Sequence, residues 1–129
     1  MKCALPLAAL LGACASVPAM PVPLAGDWGG PHAALHLLPG GGTLDYDCAH
    51  GTIGRLLVGP GGQFTAQGMH SAQHGGPVRV GEVPPSWPVR YSGIVIGDRM
   101  TIVGNVETGL QLGPFELRRG AEPMIYRCL

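Results

Sequence analysis

The sequence predicts an all-β fold, a small antiparallel up-and-down β-barrel of about eight strands. Three observations carry this reading. Of 129 residues, 22 are glycine and 13 are proline. A helix breaker roughly every four residues leaves little room for long helices. Hydrophobic residues make up 46% of the chain and charged residues only 12%. That balance is too apolar for a disordered chain, and the glycines lack the three-residue period of collagen. After Pro31, short runs alternate apolar with polar or small residues, and Gly or Pro separates the runs, which is the strand-and-turn pattern. The length suits one domain.

Eight strands are expected, in order His32–Leu38, Thr43–Ala49, Thr52–Val58, Gln63–His70, Val89–Ile96, Arg99–Glu107, Gln111–Arg118 and Met124–Leu129. In the second, Leu44, Tyr46 and Cys48 face one way and Thr43, Asp45 and Asp47 the other. The fourth sets Phe64, Ala66 and Gly68 against Thr65, Gln67 and Met69. The sixth sets Met100, Ile102 and Val106 against Thr101 and Asn105. One-sided alternation means one buried face, as in an antiparallel sheet. Short glycine-rich segments at Gly40–Gly42, Gly59–Gly62 and Gly97-Asp98 connect the strands, and Gly97-Asp98 is the best hairpin signal. Closing the meander into a barrel removes its exposed edges. An open β-sandwich is the alternative. One connection is long: Ser71–Pro88 holds seven glycines and prolines around Val78, Val80, Val83 and Trp87. Loops of that length are commonly functional or disordered.

Eight basic residues balance eight acidic ones, and Lys2 is the only lysine. With no basic cluster, nucleic acid is not an expected partner. Lys2 precedes an apolar stretch, Cys3–Leu11, too short to span a bilayer and suited to a signal peptide. An ordinary secretory signal would end at Val17-Pro18-Ala19 or Ala13-Cys14-Ala15. Leu11-Gly12-Ala13-Cys14 resembles a bacterial lipobox, which makes Cys14 the lipidated first residue of the mature protein. On that reading residues 1–13 are a signal peptide and residues 14–25 a lipidated, Pro/Ala-rich tether. Residues 26–129 form the barrel domain, outside the cytoplasm, in the periplasm and anchored to the outer membrane. Plain secretion is the alternative. Processing leaves Cys48 and Cys128 as the only possible disulfide. It would close a loop of roughly 80 residues and contribute about 4 kcal/mol on chain-entropy grounds.

Gly26-Asp27-Trp28 resembles the Gly-x-Trp opening of lipocalin-type barrels. The resemblance implies that Trp28 plugs one barrel end beneath an arginine from the last strand, for which Arg127 is the candidate. Longer pieces resemble a group of small, uncharacterised bacterial secreted proteins and lipoproteins. They are Trp28–His32, Asp47–Gly51, His74–Arg79, Tyr91-Ser92-Gly93 and Arg127-Cys128-Leu129. That resemblance implies the same fold and cysteine pair and supplies no activity.

Counting strands back and forth gathers Trp28, His32, Asp47, Cys48, His50, His70, His74, Trp87 and Cys128 at one barrel end. Such an end could bind a small ligand, with His32, His50, His70 and His74 as polar contacts and Trp28 and Trp87 as apolar surface. The rival reading is an envelope interaction or structural module without a pocket. A zinc site on the same four histidines, with Asp47 or Glu82 as an oxygen ligand, is the third. No His-x-His or Cys-x-x-Cys spacing reinforces it, and no cofactor is expected. Catalysis has little support. Ser71 beside His70 is adjacency only, no Gly-x-Ser-x-Gly elbow exists, and Asp45 and Asp47 lie on the outward strand face.

Overall fold

The computed structural model describes residues 21–72, 80–81 and 83–126. Its strands are β1 (Val22–Pro23), β2 (Gly26–Gly30), β3 (Ala33–Leu38), β4 (Gly41–Tyr46), β5 (Ala49–Gly54), β6 (Leu57–Val58), β7 (Gln63–Ala72), β8 (Ser86–Ile96), β9 (Arg99–Val106) and β10 (Gln111–Arg119). Eight of them close an antiparallel barrel in the order β10-β2-β3-β4-β5-β7-β8-β9. The fold is therefore the closed meander and not the open sandwich.

The eight barrel strands are not quite the eight expected. Gly26–Gly30 is a barrel strand, paired with β3 from Gly26↔Leu37 to Gly30↔Ala33. Of the expected last strand Met124–Leu129, the described residues Met124–Tyr126 form no barrel strand. Met124 makes a single parallel bridge to Pro31, and residues 127–129 lie outside the described residues. The barrel closes instead through β10, at Arg118↔Gly29 and Arg119↔Trp28. Glycine makes this closure possible. A Cβ on Gly29 would sit 2.2 Å from the Ala121 carbonyl oxygen, and one on Gly30 would sit 2.1 Å from that of Glu116.

Part of the stretch expected to be a tether is docked on the barrel. Val22 and Pro23 pair with Val58 and Leu57, and the Leu24 N–H donates to the Leu56 carbonyl. The chain is thus docked from Val22, ahead of Gly26.

Strand parity explains the core. Leu35, Leu37, Leu44, Tyr46, Ile53, Phe64, Tyr91, Met100, Ile102 and Leu117 all point inward and are buried. Inward glycines make room for rings. A Cβ on Gly51 would lie 2.4 Å from the Tyr46 hydroxyl and 2.7 Å from that of Tyr91. One on Gly93 would lie 2.7 Å from the Phe64 ring, and one on Gly104 would lie 2.9 Å from Tyr91. Large buried side chains occupy the lumen, as the narrowness of an eight-stranded barrel leads one to expect.

Because β2 precedes β3, the two barrel ends differ from the expected assignment. Two-residue turns at Pro39-Gly40 and Gly97-Asp98, with the Arg55–Gly62 connection, mark one end, the glycine-turn end. Pro31-His32, Asp47-Cys48 and the β7–β8 connection mark the other, the histidine end. Trp28 belongs to the glycine-turn end. Arg119 lies over its ring, 4.4 Å from the centroid, and donates through Nη1 to the Ala25 carbonyl at 3.1 Å. Arg119 therefore takes the place expected for Arg127, which lies outside the described residues. Strand tilt reconciles the two ends. The register row Arg119–Trp28–Leu35–Leu44–Gly51–His70–Trp87 starts at one end and climbs to the other.

Candidate functional site: the histidine end

Two tight turns build the rim. His32 (φ 70°) and Cys48 (φ 59°) occupy the left-handed region, which costs a non-glycine residue energy and persists only when its surroundings hold it. The C-terminal tail holds both. The His32 N–H donates to the Met124 carbonyl at 2.7 Å, and the Cys48 N–H donates to the Tyr126 carbonyl at 3.3 Å. The Tyr126 N–H in turn donates to Asp47 Oδ1 at 2.7 Å, and the Tyr126 ring lies 5.7 Å from that of His32.

Outside the wall, each of the described histidines has an aspartate. His32 pairs with Asp47 across the neighbouring turns, and His50 pairs with Asp45 directly across β4 and β5. His36 pairs with Asp27 in the same way on β3 and β2. In every pair Nδ1 meets the carboxylate, so Nε2 faces away from it. Asp47 feels an upward pull from desolvation, yet the Tyr126 N–H and the His32 ring hold its carboxyl below the ordinary value.

Inside the wall stands His70, buried among rings. It lies 5.7 Å from Tyr46 and 6.4 Å from Trp87, centroid to centroid. Among the described residues its Nδ1 has no hydrogen-bond partner. Burial depresses its pKa below the ordinary 6.5, which favours the neutral ring. Below it, the hydroxyls of Tyr46 and Tyr91 bond to each other, and burial raises both pKa values. Tyr46 also stacks on Phe115 at 5.6 Å with 9° between planes. A surface groove of about 510 Å³ between His32, Asp47, Pro114 and Glu116 reaches Phe115.

The expected convergence is thus real but split by the barrel wall. His32, Asp47, Cys48, His50, His70 and Trp87 share one end. Yet His32 and His50 point outward while His70 points inward. Trp28 does not join them. His74, Glu82, Cys14 and Cys128 lie outside the described residues. Among the described residues, no three His, Cys, Asp or Glu side chains converge to hold a metal ion. Two contributors escaped sequence reasoning. Arg119 shares strand parity with the inward Phe115 and Leu117, a signal that could have singled it out. Tyr126 had no such signal, because its role comes from a tail that leaves the barrel order.

Comparison with family models, with curated proteins and with solved structures finds no match.

Proposed function

We propose that this chain is a non-catalytic, lipid-anchored protein of the bacterial cell envelope that binds another envelope protein through the surface of its histidine end. The filled lumen carries this reading. Tyr46, Phe64, Tyr91 and Ile102 occupy the space a lipocalin-type ligand would need, and glycines at 51, 93 and 104 are already cut back to admit the rings. What is left for recognition is the rim, with its His32–Asp47 and His50–Asp45 pairs and the exposed Tyr126. The lipid anchor is Cys14, on the strength of Leu11-Gly12-Ala13-Cys14. The location is the periplasmic side of the outer membrane. Kinship with small bacterial secreted proteins and lipoproteins belongs to this proposal too. So does the Cys48–Cys128 disulfide, which is supported by the Tyr126 carbonyl at the Cys48 N–H, two residues before Cys128.

One observation favours a second reading, a small polar ligand at the inner mouth. The buried Nδ1 of His70, beside Trp87, is a polar atom without a partner among the described residues. Titration with a small polar probe, acetate or acetamide, followed by tryptophan fluorescence separates the two. The proposal expects no saturable one-to-one binding. Saturable binding that quenches Trp87 and disappears in His70→Phe would replace it with the second reading.

A further inference from the structure

We propose that the glycine-turn end of the barrel rests on an anionic lipid surface, so that the histidine end points away from the membrane. The inference rests on the lipid-anchor reading above and adds an orientation to it.

Chain path is the first argument. Val22 pairs with Val58 in the connection that forms the glycine-turn end. Only the seven residues 15–21 separate it from Cys14. Fully extended, they span about 25 Å. A ten-residue strand such as β7, tilted as barrel strands are, is about 25 Å tall. With the glycine-turn end down, the anchor and the first docked strand meet without spanning the wall. With the histidine end down, the tether would have to run the whole wall fully extended.

Exposed apolar side chains are the second. Val22, Leu38, Leu57 and Ile96 are all exposed, and each sits on or beside a turn of this end. Pro39 and Pro60 stand between them. Apolar tips on rigid hairpins suit shallow insertion at a lipid interface.

Charge is the third, and it separates the two ends, because the histidine end also exposes Val83, Leu110 and Tyr126. Around the glycine-turn end stand Arg55, Arg99, Arg118 and Arg119 against Asp27 and Asp98, with Glu122 in the groove beside Arg99 and Arg118. At the histidine end Asp45, Asp47, Glu107 and Glu116 outnumber Arg90 among the described residues, beside His32 and His50. An anionic leaflet attracts the first and repels the second.

The test places photoreactive benzoylphenylalanine at position 38, 96 or 110 of the full chain, expressed in a Gram-negative host and irradiated in intact cells. The proposal expects phospholipid adducts at positions 38 and 96, at least tenfold above position 110. Lipid adducts at position 110 instead, or only protein adducts at positions 38 and 96, would overturn the orientation while leaving the anchor standing. Fractionation of the same cells checks the anchor itself. A chain that stays soluble with Cys14 intact would overturn both readings.

Discussion

Arg119 covers the indole of Trp28 at 4.4 Å, and the two residues are also register partners where the barrel closes. Arg119 is fixed from three sides. Its backbone N–H donates to the Asp98 carbonyl at 2.9 Å, its Nη1 donates to Ala25, and its Nε lies 3.5 Å from Asp98 Oδ1. Only two register pairs join β10 to β2, so this contact seals a short seam. Arg119→Ala should lower stability by about 1–2 kcal/mol, with Arg119→Lys in between. Trp28→Ala should cost about 3–5 kcal/mol. Denaturant unfolding checks both. An Arg119→Ala midpoint equal to that of the parent would remove the cap from the account.

The filled lumen makes a steric prediction. Gly51→Ala drives a methyl group into the Tyr46 and Tyr91 hydroxyls and should cost about 1–3 kcal/mol. Gly40→Ala meets nothing within 4 Å and should stay within about 0.5 kcal/mol of the parent. Equal effects at the two positions would mean that the lumen has slack.

The tyrosine pair predicts non-additivity. Tyr46→Phe or Tyr91→Phe alone strands one buried hydroxyl and should cost about 1–3 kcal/mol. The double substitution should cost less than the sum of the singles, by about 1 kcal/mol or more. A double-mutant cycle with no coupling would show that the hydroxyls do not depend on each other.

His70 predicts a pH signature. Its folded pKa lies below the unfolded value of 6.5, so between the two values the unfolded chain binds the extra proton. Stability from this group is full above about pH 6.5 and is lost as the pH falls toward the folded value. His70→Phe should therefore flatten the stability profile below about pH 6.5 relative to the parent. Asp47, with its pKa lowered, acts in the same direction at lower pH. Its contribution is present above the ordinary 3.8 and is lost below it, so Asp47→Asn should flatten only the acid limb. Parallel profiles for His70→Phe and the parent would show that burial does not depress the pKa of this ring.

Much of the barrel was legible because β3, β4, β7 and β9 alternate, and parity alone placed Leu44, Phe64, Ile102 and their neighbours inside. Gly26–Gly30 hid its strand because it carries one large apolar side chain among three glycines. Gly29 and Gly30 are needed for the close approach of Ala121 and Glu116, not for turns. The tail from Met124 looked like a strand by the same alternation, but the place beside β2 is taken by β10. Missing the first strand put Trp28 at the wrong end. At the site, turn positions correctly brought His32, Asp47 and His50 together. The division into outward and inward histidines could have been read from the shared parity of Phe64, Ala66 and His70. The tail's hold on His32 and Cys48 could not, because it depends on a tertiary path with no local periodicity.

Native mass spectrometry of the protein isolated from its own envelope tests the central claim most directly. The account predicts one species carrying lipid on Cys14 and one Cys48–Cys128 disulfide, with no small molecule retained by the barrel. A stoichiometric small molecule that is released only on unfolding would contradict a barrel that binds with its surface.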